Sequence, residues 1–144
     1  RFEIYGEGNP IYKNELLELI KSKKLQNNIF FMGGTSEIQR VFSEASIYVC
    51  TSKTESFGLT LIEAMDVGLP VISFDCPHGP KNIIHDGVDG YLIQNDSIVK
   101  ASNAIINLIE DKKFLVSMGN SARLNAQRYH LDNVMKMWIN LFNK

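Results

Sequence analysis

Residues 51–65 read Thr-Ser-Lys-Thr-Glu-Ser-Phe-Gly-Leu-Thr-Leu-Ile-Glu-Ala-Met, and the rest of the chain is organised around them. The apolar run before them, Ile47–Cys50, favours a buried strand, and their second half favours a helix that ends near Gly68. The first amides of a helix have no partner within the helix, so a strand, a polar loop and a helix start together favour an anion site. We therefore expect the amides of Phe57, Gly58 and Leu59 to face a crevice, with Gly58 allowing a ligand to approach the backbone closely.

Two carboxylates flank this predicted anion site. Glu55 lies in the loop, and Glu63 lies two turns into the helix on a polar stripe with Thr60 and Asp66. The stripe has the spacing i, i+3, i+6, which is also the spacing of any solvent-exposed helix face. Spacing alone therefore leaves two interpretations: a solvated helix face, or carboxylates that bind sugar hydroxyls beside a diphosphate.

A family resemblance favours the second interpretation. Glu55 and Glu63 form an E-x7-E pattern within Glu-Ser-Phe-Gly-Leu-Thr-Leu-Ile-Glu-Ala-Met, which resembles the signature of the group 1 (family four) retaining glycosyltransferases of the GT-B fold. Three further blocks agree, in the order that the family uses: Gly68–Ser73, Gly87–Ile93 and the terminal helix with Trp138. The resemblance runs over nearly the whole chain.

The resemblance implies transfer of a hexose-type sugar from a nucleotide diphosphate donor, with retention of configuration and without a metal or cofactor. It implies that Glu55 touches the hydroxyls of the donor sugar and that Glu63 binds the ribose. His78 could face the donor sugar, although a lone histidine in a loop is often simply exposed. The candidate catalytic residue is Glu55, and the candidate donor-binding residues are Ser56, Phe57, Gly58, Leu59, Glu63, Gly6, Gly33, Gly34, Thr35, His78 and Gly79.

The same resemblance predicts partners and missing parts. The loop Asp75–Pro80 is similar to that of members that build bacterial surface polysaccharides from UDP-sugars. The resemblance implies that a glycan or lipid-linked acceptor binds an N-terminal domain that these residues do not include. It also implies a preceding strand–helix unit, likewise not included, that carries the family's phosphate-binding arginine and lysine. We therefore expect these 144 residues alone to be inactive. Most relatives carry a glutamate where Asn82 stands, so the contact from that helix is in question.

Composition limits the other possibilities. The 144 residues predict one domain, and 15 basic against 16 acidic residues give no electrostatic reason to expect nucleic acid as a partner. The sequence contains no Asp-x-Asp pair, His cluster or Cys pair that would suggest a metal site. Cys50 and Cys76 lie at or just past predicted strands, which favours buried free thiols in a reducing compartment. We expect a cytoplasmic enzyme, peripheral to the inner face of the membrane in its complete form.

Strands alternate with helices along the chain, which predicts an α/β fold: a Rossmann-like parallel sheet covered by helices on both faces. Ligands of such sheets bind beyond the carboxyl ends of the strands. The strands are expected at residues 1–5, 29–32, 47–50, 71–74 and 91–93, with Asn9 and Asp96 as helix caps. The predicted inward-facing residues are Tyr12, Leu16, Leu17, Ile20, Ile98, Ala101, Ile105, Leu108, Leu115, Met118, Ala122, Ala126, Val134, Trp138 and Leu141.

Other functions of the same architecture remain open. The stretch Gly6-Glu7-Gly8 lacks the third glycine of a dinucleotide fingerprint, and no acidic residue follows the second strand to bind a ribose. A nicotinamide enzyme is therefore not favoured. A non-catalytic module that binds nucleotide sugars, or a nucleotide-sugar epimerase, would need the same diphosphate site.

Overall fold

The computed structural model describes residues 1–143 and contains the five predicted strands. Their bounds, and those of the helices, are β1 (Phe2–Tyr5), α1 (Pro10–Ser22), β2 (Ile29–Gly33), α2 (Ile38–Glu44), β3 (Tyr48–Cys50), α3 (Leu59–Asp66), β4 (Val71–Phe74), α4 (Pro80–Ile83), β5 (Gly90–Ile93), α5 (Ile98–Glu110), α6 (Lys112–Ala126), a 3-10 turn (Gln127–Tyr129) and α7 (Leu131–Phe142). The chain forms two compact units, Arg1–Ile38 and the residues from Gln39 onward.

The first unit is a strand–helix–strand motif. Strands β1 and β2 pair in parallel, with Phe2 opposite Ile29. The predicted cap of α1 is confirmed, because the side chain of Asn9 accepts a hydrogen bond of 2.9 Å from the amide of Ile11. The predicted inward face is only partly correct. Ile20 is buried, whereas Tyr12 is 62% exposed.

The second unit is built on a three-stranded parallel sheet in the order β3-β4-β5. Tyr48 lies opposite Val71, and Val71 in turn lies opposite Gly90. All four residues of the central strand are buried, as expected for a parallel strand covered on both faces. The α/β fold with parallel strands flanked by helices is therefore confirmed.

Helices α5 and α6 form a hydrophobic core with one face of this sheet. The buried residues of this core are Ile72, Phe74, Ile93, Ala101, Ala104, Leu108 and Met118. Helix α3 contacts strands β3 and β4 and buries Leu61, Ala64 and Met65. Since successive side chains of a strand point to opposite faces, Val71 and Ser73 lie on the face of β4 opposite Ile72.

Two predictions about α5 are wrong. Asp96 does not cap the helix: it has a left-handed backbone (φ 61°), and Ser97 is the residue that precedes the first turn. Ile98 was expected to point inward but is 73% exposed. The helix therefore begins later than the sequence suggested, and the first apolar residue falls outside the core.

Helix α7 is attached to the second unit at its beginning. The imidazole of His130, the residue before the helix, lies 2.6 Å from the carboxylate of Asp66 at the end of α3. No residue of α7 is buried, and Trp138 stacks on Phe142 at 5.7 Å between ring centroids. Val134 is half-buried, whereas Trp138 and Leu141 are exposed, contrary to the sequence expectation.

Within residues 1–143, the helices are too short or too polar to span a bilayer.

Helix α6 approaches the turn after α3 at a glycine. A Cβ atom placed on Gly119 would overlap the carbonyl oxygen of Gly68, and Pro70 lies 3.4 Å from the same position. The backbones can pack at this distance only because residue 119 has no side chain. This contact joins α6 to the segment between α3 and β4.

We predict that Gly119→Ala lowers the free energy of unfolding by about 1–3 kcal/mol, because the added methyl group must displace backbone. Alanine is the better helix former, so helix propensity alone would give the opposite sign. Chemical denaturation measures the difference. The matched control is Asn120→Ala in the exposed next position of the same helix, which should be neutral or stabilising. Equal stability of Gly119→Ala and the wild type would contradict the packing described.

Candidate functional site

The start of α3 is shaped by Gly58. This residue has a left-handed backbone (φ 96°), and no side chain caps the helix. A Cβ atom at Gly58 would lie 3.0 Å from Leu61 and 3.2 Å from Ile83, so both conformation and space favour glycine. The first turn of the helix is therefore reached by a tight backbone turn, and its amides are free of a side-chain cap.

The loop after β4 packs on the loop after β3. A Cβ atom at Gly79 would lie 2.6 Å from the carbonyl oxygen of Phe57 and 3.2 Å from the Cβ of Glu55. The preceding residue, His78, has a left-handed backbone (φ 74°), which is uncommon outside glycine. The structure thus brings Glu55, Phe57, His78 and Gly79 together, as the carboxyl ends of neighbouring parallel strands predict.

Glu55 is half-buried beside the end of β3. The thiol of Cys50 donates a long hydrogen bond of 3.9 Å to its carboxylate. Tyr48 on the same strand was not identified from the sequence, where it read as part of a short apolar run. Burial raises the pKa of Tyr48, the Thr60 hydrogen bond lowers it, and the charges of Cys50, Glu55 and Glu63 raise it. Tyr48 therefore lies within electrostatic range of both carboxylates.

The polar stripe of α3 is not uniformly solvated. The hydroxyl of Tyr48 donates to Thr60 at 3.1 Å, and Asp66 pairs with His130. Between them, Glu63 is exposed and forms no hydrogen bond or ion pair with residues 1–143. The two ends of the stripe are thus occupied by intramolecular contacts, while the middle carboxylate is available to a ligand.

The candidate residues of the first unit lie together at the ends of β1 and β2. The amide of Gly6 donates to the carbonyl of Gly33 at 2.8 Å, and both glycines have positive φ. The hydroxyl of Thr35 accepts a hydrogen bond of 3.0 Å from the amide of Glu37. A cavity of about 410 Å³ in this unit is lined by Gly6, Glu7, Gly8, Pro10, Lys13 and Gly33.

A second cavity, of about 500 Å³, contains none of the candidate residues. It is lined by Tyr91, Asn107, Glu110, Asp111 and Phe114. One of its lining side chains, Asp111, accepts a hydrogen bond from the amide of Phe114 and so caps α6. In the described part of the chain, no three His, Cys, Asp or Glu residues are grouped as a metal ion would require.

Parallel strands joined by helices, with glycine-rich loops and carboxylates at the carboxyl ends of the strands, define a Rossmann-like α/β domain. Residues 1–125 match the family model described as glycosyl transferases group 1. The chain belongs to this family.

Two similar proteins and one solved structure illustrate the relationship. The chain is 35% identical to the poly(ribitol-phosphate) alpha-N-acetylglucosaminyltransferase of Staphylococcus aureus, over 99% of this chain and 29% of that protein. It is 32% identical to the poly(glycerol-phosphate) alpha-glucosyltransferase of Bacillus subtilis, over 100% and 21%. A solved structure of a mutant S. aureus TarM, in complex with fondaparinux, alpha-GlcNAc-glycerol and UDP, matches with a TM-score of 0.88 at 35% identity, over 100% and 29%. The chain therefore spans less than a third of the length of these relatives.

Both cysteines are free and buried, as the sequence predicted. Burial raises the pKa of the Cys76 thiol, and the nearby Cys50 and Glu55 raise it further. Because the thiolate is the reactive form, a raised pKa keeps Cys76 protonated and unreactive near neutral pH.

We predict that the folded protein reacts slowly with a thiol reagent at about pH 8, whereas the denatured protein reacts rapidly. An unperturbed cysteine titrates near pH 8.5, so raising the pH should accelerate labelling of the unfolded chain before that of folded Cys76. Colourimetric thiol titration measures both rates, and Cys50→Ser assigns the signal to Cys76. Fast labelling of folded Cys76 at about pH 8 would contradict this description.

Proposed function

We propose that this chain is the donor-binding part of a retaining, metal-independent glycosyltransferase. The complete enzyme would transfer a hexose-type sugar from a UDP-sugar to a glycan or lipid-linked acceptor of a bacterial surface polymer. The observation that carries the proposal is the meeting of Glu55 and Gly79 with the Phe57 carbonyl beside the uncapped start of α3. Family membership supports the reaction class, and the UDP bound in the related TarM structure supports the nucleotide.

In this proposal, different residues bind different parts of the donor. The amides of Phe57, Gly58 and Leu59 bind the diphosphate, whose charge is also favoured by the positive end of the helix dipole. The α-helix rises about 1.5 Å per residue, so Glu63 lies roughly 6 Å along the axis from Leu59. Its side chain leans back toward the start of the helix, which places it in range of the ribose.

Glu55 contacts the sugar that is transferred. It lies in the loop, and its half-buried carboxylate accepts only the weak thiol contact from Cys50 within residues 1–143. Positive charge grows on the donor sugar as the glycosidic bond breaks, so a carboxylate at this position stabilises the transition state more than the ground state. His78, held in a left-handed conformation next to Gly79, faces the same sugar in this proposal.

The candidate residues of the first unit also bind the donor in this proposal. Gly33, Gly34 and Thr35 border the nucleotide base, and Gly6, whose amide donates to the carbonyl of Gly33, is a further donor-binding residue. Residues 1–144 then act as one nucleotide-sugar-binding domain, and the acceptor binds a further part of the enzyme. Two free buried thiols are in keeping with a cytoplasmic enzyme, which would work at the inner face of the membrane.

The family match does not favour the two alternative functions, a non-catalytic module or a nucleotide-sugar epimerase. Both would share the diphosphate site with the transferase. Acceptor-dependent sugar transfer by the complete protein distinguishes the transferase from either alternative.

We predict that the protein binds UDP more tightly than NAD. The start of α3 offers a diphosphate site, whereas the loop Gly6–Gly8 lacks the dinucleotide fingerprint. Calorimetry with each nucleotide under the same conditions measures the difference. Tighter binding of NAD, or no binding of UDP at millimolar concentration, would overturn the proposed function.

We predict different defects for the two glutamates in the complete enzyme. Glu63→Ala should weaken UDP binding by about 1–3 kcal/mol, because a hydrogen bond to the ribose is lost from donor and product alike. Glu55→Gln should leave UDP affinity nearly unchanged and lower kcat, because its contact strengthens in the transition state. Calorimetry and steady-state kinetics separate the two effects.

The matched control for both glutamates is Glu110→Ala, an exposed glutamate at the end of α5 that should change neither quantity. Equal losses of UDP affinity in Glu63→Ala and Glu55→Gln would contradict the assigned roles. Unchanged UDP affinity and turnover in both variants would show that the two carboxylates have no role in donor binding or catalysis.

A further inference from the structure

The short helix α4 is held by side chains from the end of α6 and the turn that follows it. A helix of four residues, Pro80–Ile83, is not stable by itself, and its last carbonyls have no partner within the helix. The guanidinium of Arg128 donates to the carbonyls of Asn82 and Ile83, both at 2.8 Å. The hydroxyl of Tyr129 donates to the carbonyl of Asn82 at 3.1 Å.

A third side chain, Asn125, also holds α4, and a buried carboxylate fixes its position. The side-chain amide of Asn125 donates to the carbonyl of Ile83 and to the carboxylate of Asp89, both at 2.7 Å. Asp89 is only 1% exposed, and it also accepts hydrogen bonds from the amide and the ring of His85, at 2.8 and 2.7 Å. The anchor is therefore a connected network in which the buried carboxylate has several donors.

Tyr129 also contacts the loop that precedes α3. Its ring meets the ring of Phe57 edge to face, with 5.8 Å between centroids and 87° between planes. On the same ring of Tyr129, the guanidinium of Arg128 lies 4.7 Å from the centroid. Phe57 itself is 45% exposed, so Tyr129 supplies a defined contact for a ring that is otherwise partly in solvent.

Phe57 is thus constrained from two directions. Its carbonyl lies against Gly79, and its ring lies against Tyr129. Gly79 immediately precedes α4, the helix that Tyr129 and Arg128 hold at its other end. A displacement of Tyr129 would therefore release both loops at once.

We infer that Tyr129, supported by Arg128, is a positioning residue for the donor site: it fixes the amides of Phe57, Gly58 and Leu59 without touching the donor. The inference rests on the proposed function for its consequence, which is UDP affinity. The positioning itself is a property of the folded protein and can be measured without a ligand. Neither residue lies in the stretch 51–65 or in the other blocks that resemble the family.

Hydrogen exchange of the complete protein measures the positioning. Tyr129→Ala should accelerate exchange at residues 54–59 and 78–83, and leave the central strand Val71–Phe74 close to wild type. Tyr129→Phe keeps the ring contact and should preserve wild-type exchange at residues 54–59. Arg128→Met removes the donors to α4 and should accelerate exchange at residues 78–83.

A variant in the hydrophobic core is the control for general destabilisation in the exchange measurement. Phe114 is half-buried and packs against the core of α5, α6 and the sheet, so Phe114→Ala should accelerate exchange in the central strand. Phe57→Leu removes the ring contact from the exposed side and tests the inference even when Tyr129→Ala does not fold. Unchanged exchange at residues 54–59 in Tyr129→Ala and in Phe57→Leu would overturn the inference. Acceleration throughout the chain, as in Phe114→Ala, would also overturn it, because Tyr129 would then act as general packing.

Calorimetry with UDP measures the consequence. The dissociation constant should rise about two- to tenfold in Tyr129→Ala and stay near wild type in Tyr129→Phe. Unchanged affinity in Tyr129→Ala, with accelerated exchange at residues 54–59, would overturn the claim that this residue positions the donor site. A wild-type protein that binds no UDP would overturn the proposed function instead, and hydrogen exchange would still decide the positioning.

Discussion

The close contact between Gly79 and the carbonyl of Phe57 is the constraint on which the candidate site depends. A side chain at residue 79 would lie 2.6 Å from that oxygen, so the two loops can meet only at a glycine. Parallel strands bring the loops to the same edge of the sheet, but topology alone does not bring backbones into contact. The contact places Glu55 and the first turn of α3 on one side, and His78 with α4 on the other.

Much of the fold follows from local patterns in the sequence. Short apolar runs bounded by glycine, proline or polar residues predicted the strands, because a buried parallel strand needs apolar side chains on both faces. The Asn9-Pro10 pair predicted the start of α1, since the Asn9 side chain accepts a hydrogen bond from an unpaired amide and Pro10 has no amide to leave unpaired. The candidate loop of residues 55–59 was predicted from a family signature and from the unpaired amides at the start of a helix.

Other features have no local pattern. Periodicity identifies the apolar face of a helix but does not show whether another element covers it, so Tyr12 and Ile98 were wrongly expected to be inward. The bonds from His130 to Asp66 and from Arg128 to Asn82 join residues 64 and 46 positions apart. Such contacts depend on the packing of α6 and α7 and follow no spacing rule. Tyr48 was missed for a similar reason: its hydrogen bond to Thr60 joins a strand to a helix and follows no spacing rule.

The central claim is that a nucleoside diphosphate binds at the start of α3, and a structure of the complete protein with UDP tests it most directly. The account predicts diphosphate oxygens within hydrogen-bond distance of the amides of Gly58 and Leu59, with the ribose next to Glu63. A diphosphate bound elsewhere, with the start of α3 left in solvent, would contradict the account.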